Sequence, residues 1–265
     1  MRRINIEYMA TYNKRGYKPK NKEEKLHDIE TGSTTAEVFN TLDESASKTE
    51  AFVEKNQKFI FIIIGIVAAV VLGYLGYSEF IAKPKQANAM NDMFQAQKYF
   101  DQAVNSVEKD SLFNLALNGG EGKFGMLDII DEYSGTPAAN LANYYAGTSY
   151  LKLKDYKNAV TYLSAFSSDD EILAPLAKGN IGDAFVQLNQ LEDALEYYEQ
   201  AAKMRENNYT TPMYLYKAGT IALDLGKADK ALTYFETIKE KYPSASEIAM
   251  VEVLLGKAKV LTNKY

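Results

Sequence analysis

The chain has 265 residues, with 30 Lys/Arg against 35 Asp/Glu, a single His and no Cys. Without cysteine there are no disulfides, thiolate metal sites, cysteine nucleophiles or lipidated cysteine, and one histidine leaves few nucleophile–base pairs or zinc sites to consider. Charge is unevenly distributed: residues 1–58 hold eleven Lys/Arg and ten Asp/Glu, whereas residues 86–265 hold seventeen and twenty-four, an acidic balance that argues against nucleic-acid binding by that part.

Residues 1–33 are polar, rich in Lys, Asn and Tyr, and lack apolar periodicity, so they read as a disordered cytoplasmic tail. The lone His27 stands among Glu24, Asp28 and Glu30, and reads as a solvated side chain. Arg2, Arg3 and the basic run from Lys14 to Lys25 offer weak contact to anionic lipid or ribosomal RNA, tempered by Glu23 and Glu24. From Thr34 the pattern becomes helical. Thr34 and Glu37 match a capping box, and Val38, Leu42, Ala46, Thr49 and Val53 recur at helical spacing, which predicts an amphipathic juxtamembrane helix over 34–58.

Phe59 to Ser78 is twenty residues without a charge, twelve of them Phe, Ile, Val or Leu. A helix of that length reaches ~30 Å, the thickness of the hydrocarbon core. The twelve large apolar residues favour insertion by roughly 5 kcal/mol. Lys58 bounds the run on one side and Glu79, Lys83, Pro84 and Lys85 on the other, with Tyr74 and Tyr77 where an aromatic belt would lie. Residues 59–78 are therefore predicted to be a transmembrane helix. The run starts too late and is too long for a cleaved signal, so an uncleaved anchor is expected. The basic tail favours an N-terminus in the cytoplasm and the large domain outside. Gly65, Ala69 and Gly73 lie on one face at a spacing that lets a second helix approach.

Residues 86–135 read as one degenerate helical unit, with Phe94, Tyr99, Phe100 and Ala103 on one apolar face and Met126, Ile129, Ile130 and Tyr133 on another. Beyond it a skeleton recurs three times over 136–243. Ala146-Gly147 is followed by Tyr150, Ala159 and Leu163; Ile181-Gly182 by Phe185, Ala194 and Tyr198; Ala218-Gly219 by Ala222, Ala231 and Phe235, with Pro243 after. Gly to Ala is twelve residues each time, and the glycines recur at 35 and 37 residues. This predicts antiparallel helix pairs in which Gly and Ala permit close packing and the large residue four after each Ala fills the layer between units. Thr136-Pro137 and Thr211-Pro212 place an N-cap before a first-turn proline, and Ser244 with Glu247 matches a capping box. The turns fall at Lys154-Asp155-Tyr156, Asn189-Gln190-Leu191 and Gly226-Lys227-Ala228. A last helix, about 246 to 261, reads as a solvating cap within 244–265. No strand pattern appears, so the fold class is all-α: a tetratricopeptide-type α-solenoid C-terminal to a single transmembrane helix.

These residues resemble the tetratricopeptide consensus of Gly, Tyr, Ala, aromatic and Pro. The order of span, Ala87 to Ala103, insert, and Tyr144 onward further resembles the ancillary subunits of the SecYEG translocon, the YfgM-like proteins of bacterial inner membranes, over about residues 34–265. That resemblance implies a short cytoplasmic tail, one span and a periplasmic repeat domain. It also implies partnership with the SecYEG-type translocon and a membrane-anchored periplasmic peptidyl-prolyl isomerase or other chaperone, and assistance to exported proteins. Residues 1–33 have no counterpart in that family.

Chemistry has few footholds. Asn118 to Gly125 looks like a phosphate loop, but Leu117 replaces its first glycine and Phe124 its Ser/Thr, so a flexible surface loop is expected. Asp169-Asp170-Glu171 reads as a helix-dipole feature and not as a metal site. No catalytic residue, cofactor or metal is expected. The remaining candidate is a protein-binding groove along the first helices of the pairs: Leu141, Tyr144, Thr148, Leu151, Leu176, Asp183, Val186, Met213, Tyr216, Thr220 and Leu223. It lacks the Lys/Asn set that clamps a terminal carboxylate in chaperone-binding relatives. The function expected is a non-enzymatic adaptor at the translocon. A cell-envelope scaffold for wall or outer-membrane assembly, or a tethered regulator that sequesters a cytoplasmic factor, are the alternatives.

Overall fold

A computed structural model describes residues 34–107 and 109–263, with side chains from Thr49 onward. The predicted tail, His27, the Thr34–Glu37 box and the positions Val38, Leu42 and Ala46 lie outside the described side chains. The chain forms two compact units that divide between Gly76 and Tyr77.

The first unit contains one long helix, α1 (Thr34–Tyr77). It is the one helix among the described residues long and apolar enough to cross a membrane, and none of its apolar window is buried. Phe59, Ile62, Ile66, Val70 and Leu75 are all exposed.

The second unit opens with a π-helical turn, Ser78–Ala82, followed by α2 (Lys83–Asn105), α3 (Lys109–Asn118) and α4 (Met126–Glu132). The stretch 86–135 thus holds three helices where one unit was expected. Its core is small-residue and methionine packing: Ala89, Met93 and Ala96 meet Leu117, Met126 and Ile129. Phe100 stacks edge-on against Phe113 and Tyr145, with centroids 5.6 and 4.9 Å away. Phe94, expected on the apolar face with Phe100, is exposed. It lies six residues from Phe100, so the helical twist turns it away from the buried stripe of Ala89, Met93 and Ala96.

The glycine-rich segment is an ordered turn and not a loose loop. Gly119, Glu121 and Gly122 have positive φ, and Gly120 and Lys123 form an isolated bridge. A Cβ on Gly119 or Gly125 would collide with backbone across the turn, which explains the glycines without any phosphate.

Three antiparallel pairs follow: α5 (Pro137–Lys152) with α6 (Tyr156–Ala165), α7 (Leu173–Gln187) with α8 (Leu191–Met204), and α9 (Thr210–Asp224) with α10 (Ala228–Lys241). The last helix is α11 (Ile248–Thr262). The three intra-pair turns are built alike. Lys154, Asn189 and Gly226 occupy the left-handed region at φ 65, 57 and 70°. The next residue's N–H closes back on the helix: Asp155 to Tyr150 O at 2.9 Å, Gln190 to Phe185 O at 2.9 Å, Lys227 to Ala222 O at 2.7 Å. This is the Schellman closure that ends a helix with its last carbonyls satisfied. Gly and Asn suit it, whereas Lys pays a steric penalty. Lys154→Gly is expected to raise the unfolding free energy by about 0.5–1 kcal/mol, read from urea denaturation.

Each recurring glycine seats the large residue of its own pair. A Cβ on Gly147 would lie 2.6 Å from Leu163, on Gly182 2.6 Å from Tyr198, and on Gly219 2.5 Å from Phe235. The large residues also reach the neighbouring pair: Leu163 shares a cluster with Ala177 and Ile181, and Tyr198 stacks on Tyr214. The core is divided. One large cluster runs from Ala194 to Ala258, another from Ala89 to Ala146, and the small Leu163 cluster lies between them.

The caps differ in part from those predicted. Thr136 caps α5, accepting from Ala139 N at 3.2 Å, with Pro137 at the first position. At α9, however, the helix starts at Thr210 because Asn207 takes the cap. Its Oδ1 accepts from Tyr209 and Thr210 N at 2.8 and 2.7 Å, and Thr211 instead donates to Ala202 O. The Ser244–Glu247 box does not form. Glu247 is the N-cap of α11 without a side-chain cap, and the helix begins at Ile248.

Asp170 does cap. Its Oδ1 accepts from Ile172 and Leu173 N at 2.8 and 2.7 Å, and these N–H groups hold its carboxyl below the usual value of 3.8. A depressed carboxylate contributes stability above its unfolded value, and that contribution disappears as pH falls through the folded value. Asp170→Ala is expected to melt at a lower temperature than the parent at pH 7. The gap in Tm should close only below about pH 3.8, in melts across a pH series.

Candidate protein-binding surface

The eleven groove residues fall into four rows on α5, α7 and α9, each at a fixed distance from the recurring glycine. Six residues before it stand Leu141, Leu176 and Met213; four after it stand Leu151, Val186 and Leu223. Three before it are Tyr144 and Tyr216, and one after it Thr148, Asp183 and Thr220. Ten of them are half-buried and present part of their surface. Thr148, at 8% exposure, lines no open surface.

The middle of this surface is an ion-pair and aromatic cluster. The Asp183 carboxylate accepts from Lys217 Nζ at 2.6 and 2.9 Å and from the Tyr198 hydroxyl at 2.6 Å. Lys217 Nζ lies 5.5 Å from the Tyr198 ring centroid and 5.6 Å from that of Tyr214, within cation–π range. The two rings stack 6.1 Å apart at 18°. Burial first, and then the Asp183 charge, raise the hydroxyls of Tyr198 and Tyr214 far above the ordinary tyrosine value, so both remain neutral donors. Asp183 therefore enters the surface as a neutralised pair.

Sequence reasoning placed Asp183 here but missed Tyr214 and Lys217. The signal was Gly179. Its row carries Tyr in pairs one and three, and in pair two the Tyr214 ring occupies the space that a side chain would need.

A second omission is α11. Met250, Val253, Lys257 and Val260 stand 37 residues after Met213, Tyr216, Thr220 and Leu223, in the same four rows. Its buried residues Val251, Leu255 and Ala258 repeat Tyr214, Ala218 and Ile221 at the same interval. Gly256 likewise repeats Gly219, but a Cβ there meets nothing. The interval could have been carried one step further from the sequence. It puts α11 in the register of the first helices α5, α7 and α9.

Residues 141–169 and 180–246 each match a tetratricopeptide repeat profile. The fold is a tetratricopeptide-type helical stack. The matched stretches begin inside α5 and inside α7 and run through α6 and α10, so similarity to the repeat takes in most of the three pairs. No curated protein matches the chain. Repeats of this kind are protein-interaction scaffolds, which gives the surface its general meaning. Among the described residues no cluster of three or more His, Asp or Glu side chains is placed to hold a metal ion.

On α1, Gly65, Ala69 and Gly73 are all exposed, and a Cβ on Gly65 or Gly73 meets nothing within 4 Å.

Proposed function

We propose that the protein is a membrane-anchored, non-enzymatic adaptor of the bacterial inner membrane. In this reading α1 spans the bilayer, residues 1–33 lie in the cytoplasm, and the helix pairs in the periplasm hold partners near the Sec translocon. The observation that carries the adaptor reading is the set of apolar and tyrosine rows repeated across α5, α7 and α9 and interrupted by one neutralised ion pair. Such a surface suits an extended or helical apolar segment of a partner, and it offers no polarised nucleophile. The translocon, a membrane-anchored periplasmic peptidyl-prolyl isomerase or other chaperone, and exported clients are the partners that the resemblance to the YfgM-like subunits supports. The Gly65, Ala69 and Gly73 face is the proposed contact within the membrane.

A photo-crosslinking amino acid at Gly65 or Gly73, in cells, tests the translocon assignment. Channel subunits among the products are expected; wall-assembly enzymes in their place would sink it. A crosslinker at Tyr216 or Leu223 tests the groove separately. Exported chains or chaperones are expected there, and no protein product at either position would refute the adaptor reading.

A further inference from the structure

We propose that the outer arc of α11 is a docking site for an amphipathic helix of a partner protein that sets a carboxylate opposite Lys257. Ala249, Met250, Val253, Gly256, Val260 and Leu261 are all exposed, Val253 to 67%. At 100° per residue they fall with Lys257 within an arc of about 140°. The opposite side, Val251, Leu255 and Ala258, is buried in the cluster shared with α9 and α10. Between the two sides stand Glu252 and Lys259, so the outward arc itself is apolar except for Lys257. An outermost helix meant to face water would instead be polar on its outer side, which is what the sequence led one to expect of a solvating cap.

The register indicates what covers it. Met250, Val253, Lys257 and Val260 continue the four rows of the groove, and on α9 the equivalent Met213, Tyr216 and Leu223 are packed against the same core cluster as α11. The open arc is thus the exposed end of a helix-packing surface already in use, and the shape that continues it is another helix. Gly256 leaves space for a close approach at the middle of the arc.

Charge selects the partner. Lys257 is the one charged residue in the arc among those described, and it sits near the centre, while Glu252, about 40° beyond the arc's edge, pairs with Lys239 at 3.6 Å. Antiparallel pairing of two copies through Gly256 would bring two Lys257 side chains together, and like charges juxtaposed in an interface are costly. A second copy is therefore disfavoured, and a helix with a leucine-type stripe and an acidic flank fits. The proposal does not rest on the translocon assignment, and the arc extends the rows of the groove on α5, α7 and α9.

The test uses the full chain in lipid nanodiscs, with empty nanodiscs subtracted, and two labelled synthetic helices of about 20 residues, long enough to hold helical structure. Both carry leucines at i, i+3, i+4 and i+7; one has Glu beside the central stripe and the other Lys. By fluorescence anisotropy the Glu peptide is expected to bind about two- to fivefold more tightly, and Lys257→Glu to invert that order. Val253→Asp, at an exposed position that leaves the fold intact, is expected to weaken both about tenfold or more. The proposal is overturned by equal affinities in both charge backgrounds, or by binding that ignores Val253→Asp. Sedimentation showing self-association that Val253→Asp abolishes would also overturn it, since the occupant would then be a second copy.

Discussion

Phe235→Ala is expected to lower the unfolding free energy of the repeat domain by about 3–5 kcal/mol. Phe235 is completely buried, its ring rests on Gly219, and Tyr216 lies 6.5 Å away. Truncation removes the transfer free energy of the ring and leaves a cavity against helices held in place by their own backbone bonds. The same geometry makes a sharper prediction through Gly219. Alone, Gly219→Ala drives a methyl group into the ring and should destabilise by about 1–3 kcal/mol. In the Phe235→Ala background that clash is gone, and the greater helix propensity of alanine should make the substitution neutral or stabilising. Urea denaturation of the four proteins closes the cycle. Additive losses would show that Gly219 and Phe235 do not meet as described.

Gly179→Ala is expected to cost about 3 kcal/mol, at the upper end of overpacking effects, because its Cβ would lie only 1.9, 2.0 and 2.3 Å from Cε1, Cζ and the hydroxyl oxygen of Tyr214. The ring has nowhere to go. It is buried, stacked on Tyr198 and covered by Lys217. Expelling it also loosens the Lys217–Asp183 pair, so the loss in Tm should be accompanied by a change in the near-ultraviolet tyrosine signal. Gly256→Ala is the matched control. That glycine is also mid-helix but faces open space, and alanine there should stabilise by up to about 1 kcal/mol. A Gly179→Ala protein as stable as the parent would overturn the close packing between pairs two and three.

Much of this architecture was readable in advance because a repeat states its packing several times over. Gly147, Gly182 and Gly219 announced close approach at a fixed phase, and Leu163, Tyr198 and Phe235 are the residues that approach. The turns at Lys154, Asn189 and Gly226 fell where the periodicity broke. What stayed hidden depended on side chains that interact across the repeat rather than along it. Nothing local distinguishes Asn207 from Thr211 as the cap of α9; the choice follows from the Asn207 amide also reaching Glu171 O at 3.0 Å in the preceding pair. Gly179 reads as an ordinary helical glycine until Tyr214 is seen lying on it. Residues 86–135 were legible only as apolar stripes, because without a repeat the phase of Phe94 against Phe100 had no second copy to check it.

The division of the buried core has a mechanical meaning. Leu163, Ala177 and Ile181 are a thin bridge between two larger blocks, one ending near Ala146 and the other beginning near Ala194. The stack is therefore a coupled pair of cooperative blocks with a seam at the connection between α6 and α7. Under load or mild denaturant the amides of α9 and α10 should exchange together, out of step with those of α2 and α5. A stack that yields at a seam keeps one block folded while the other opens.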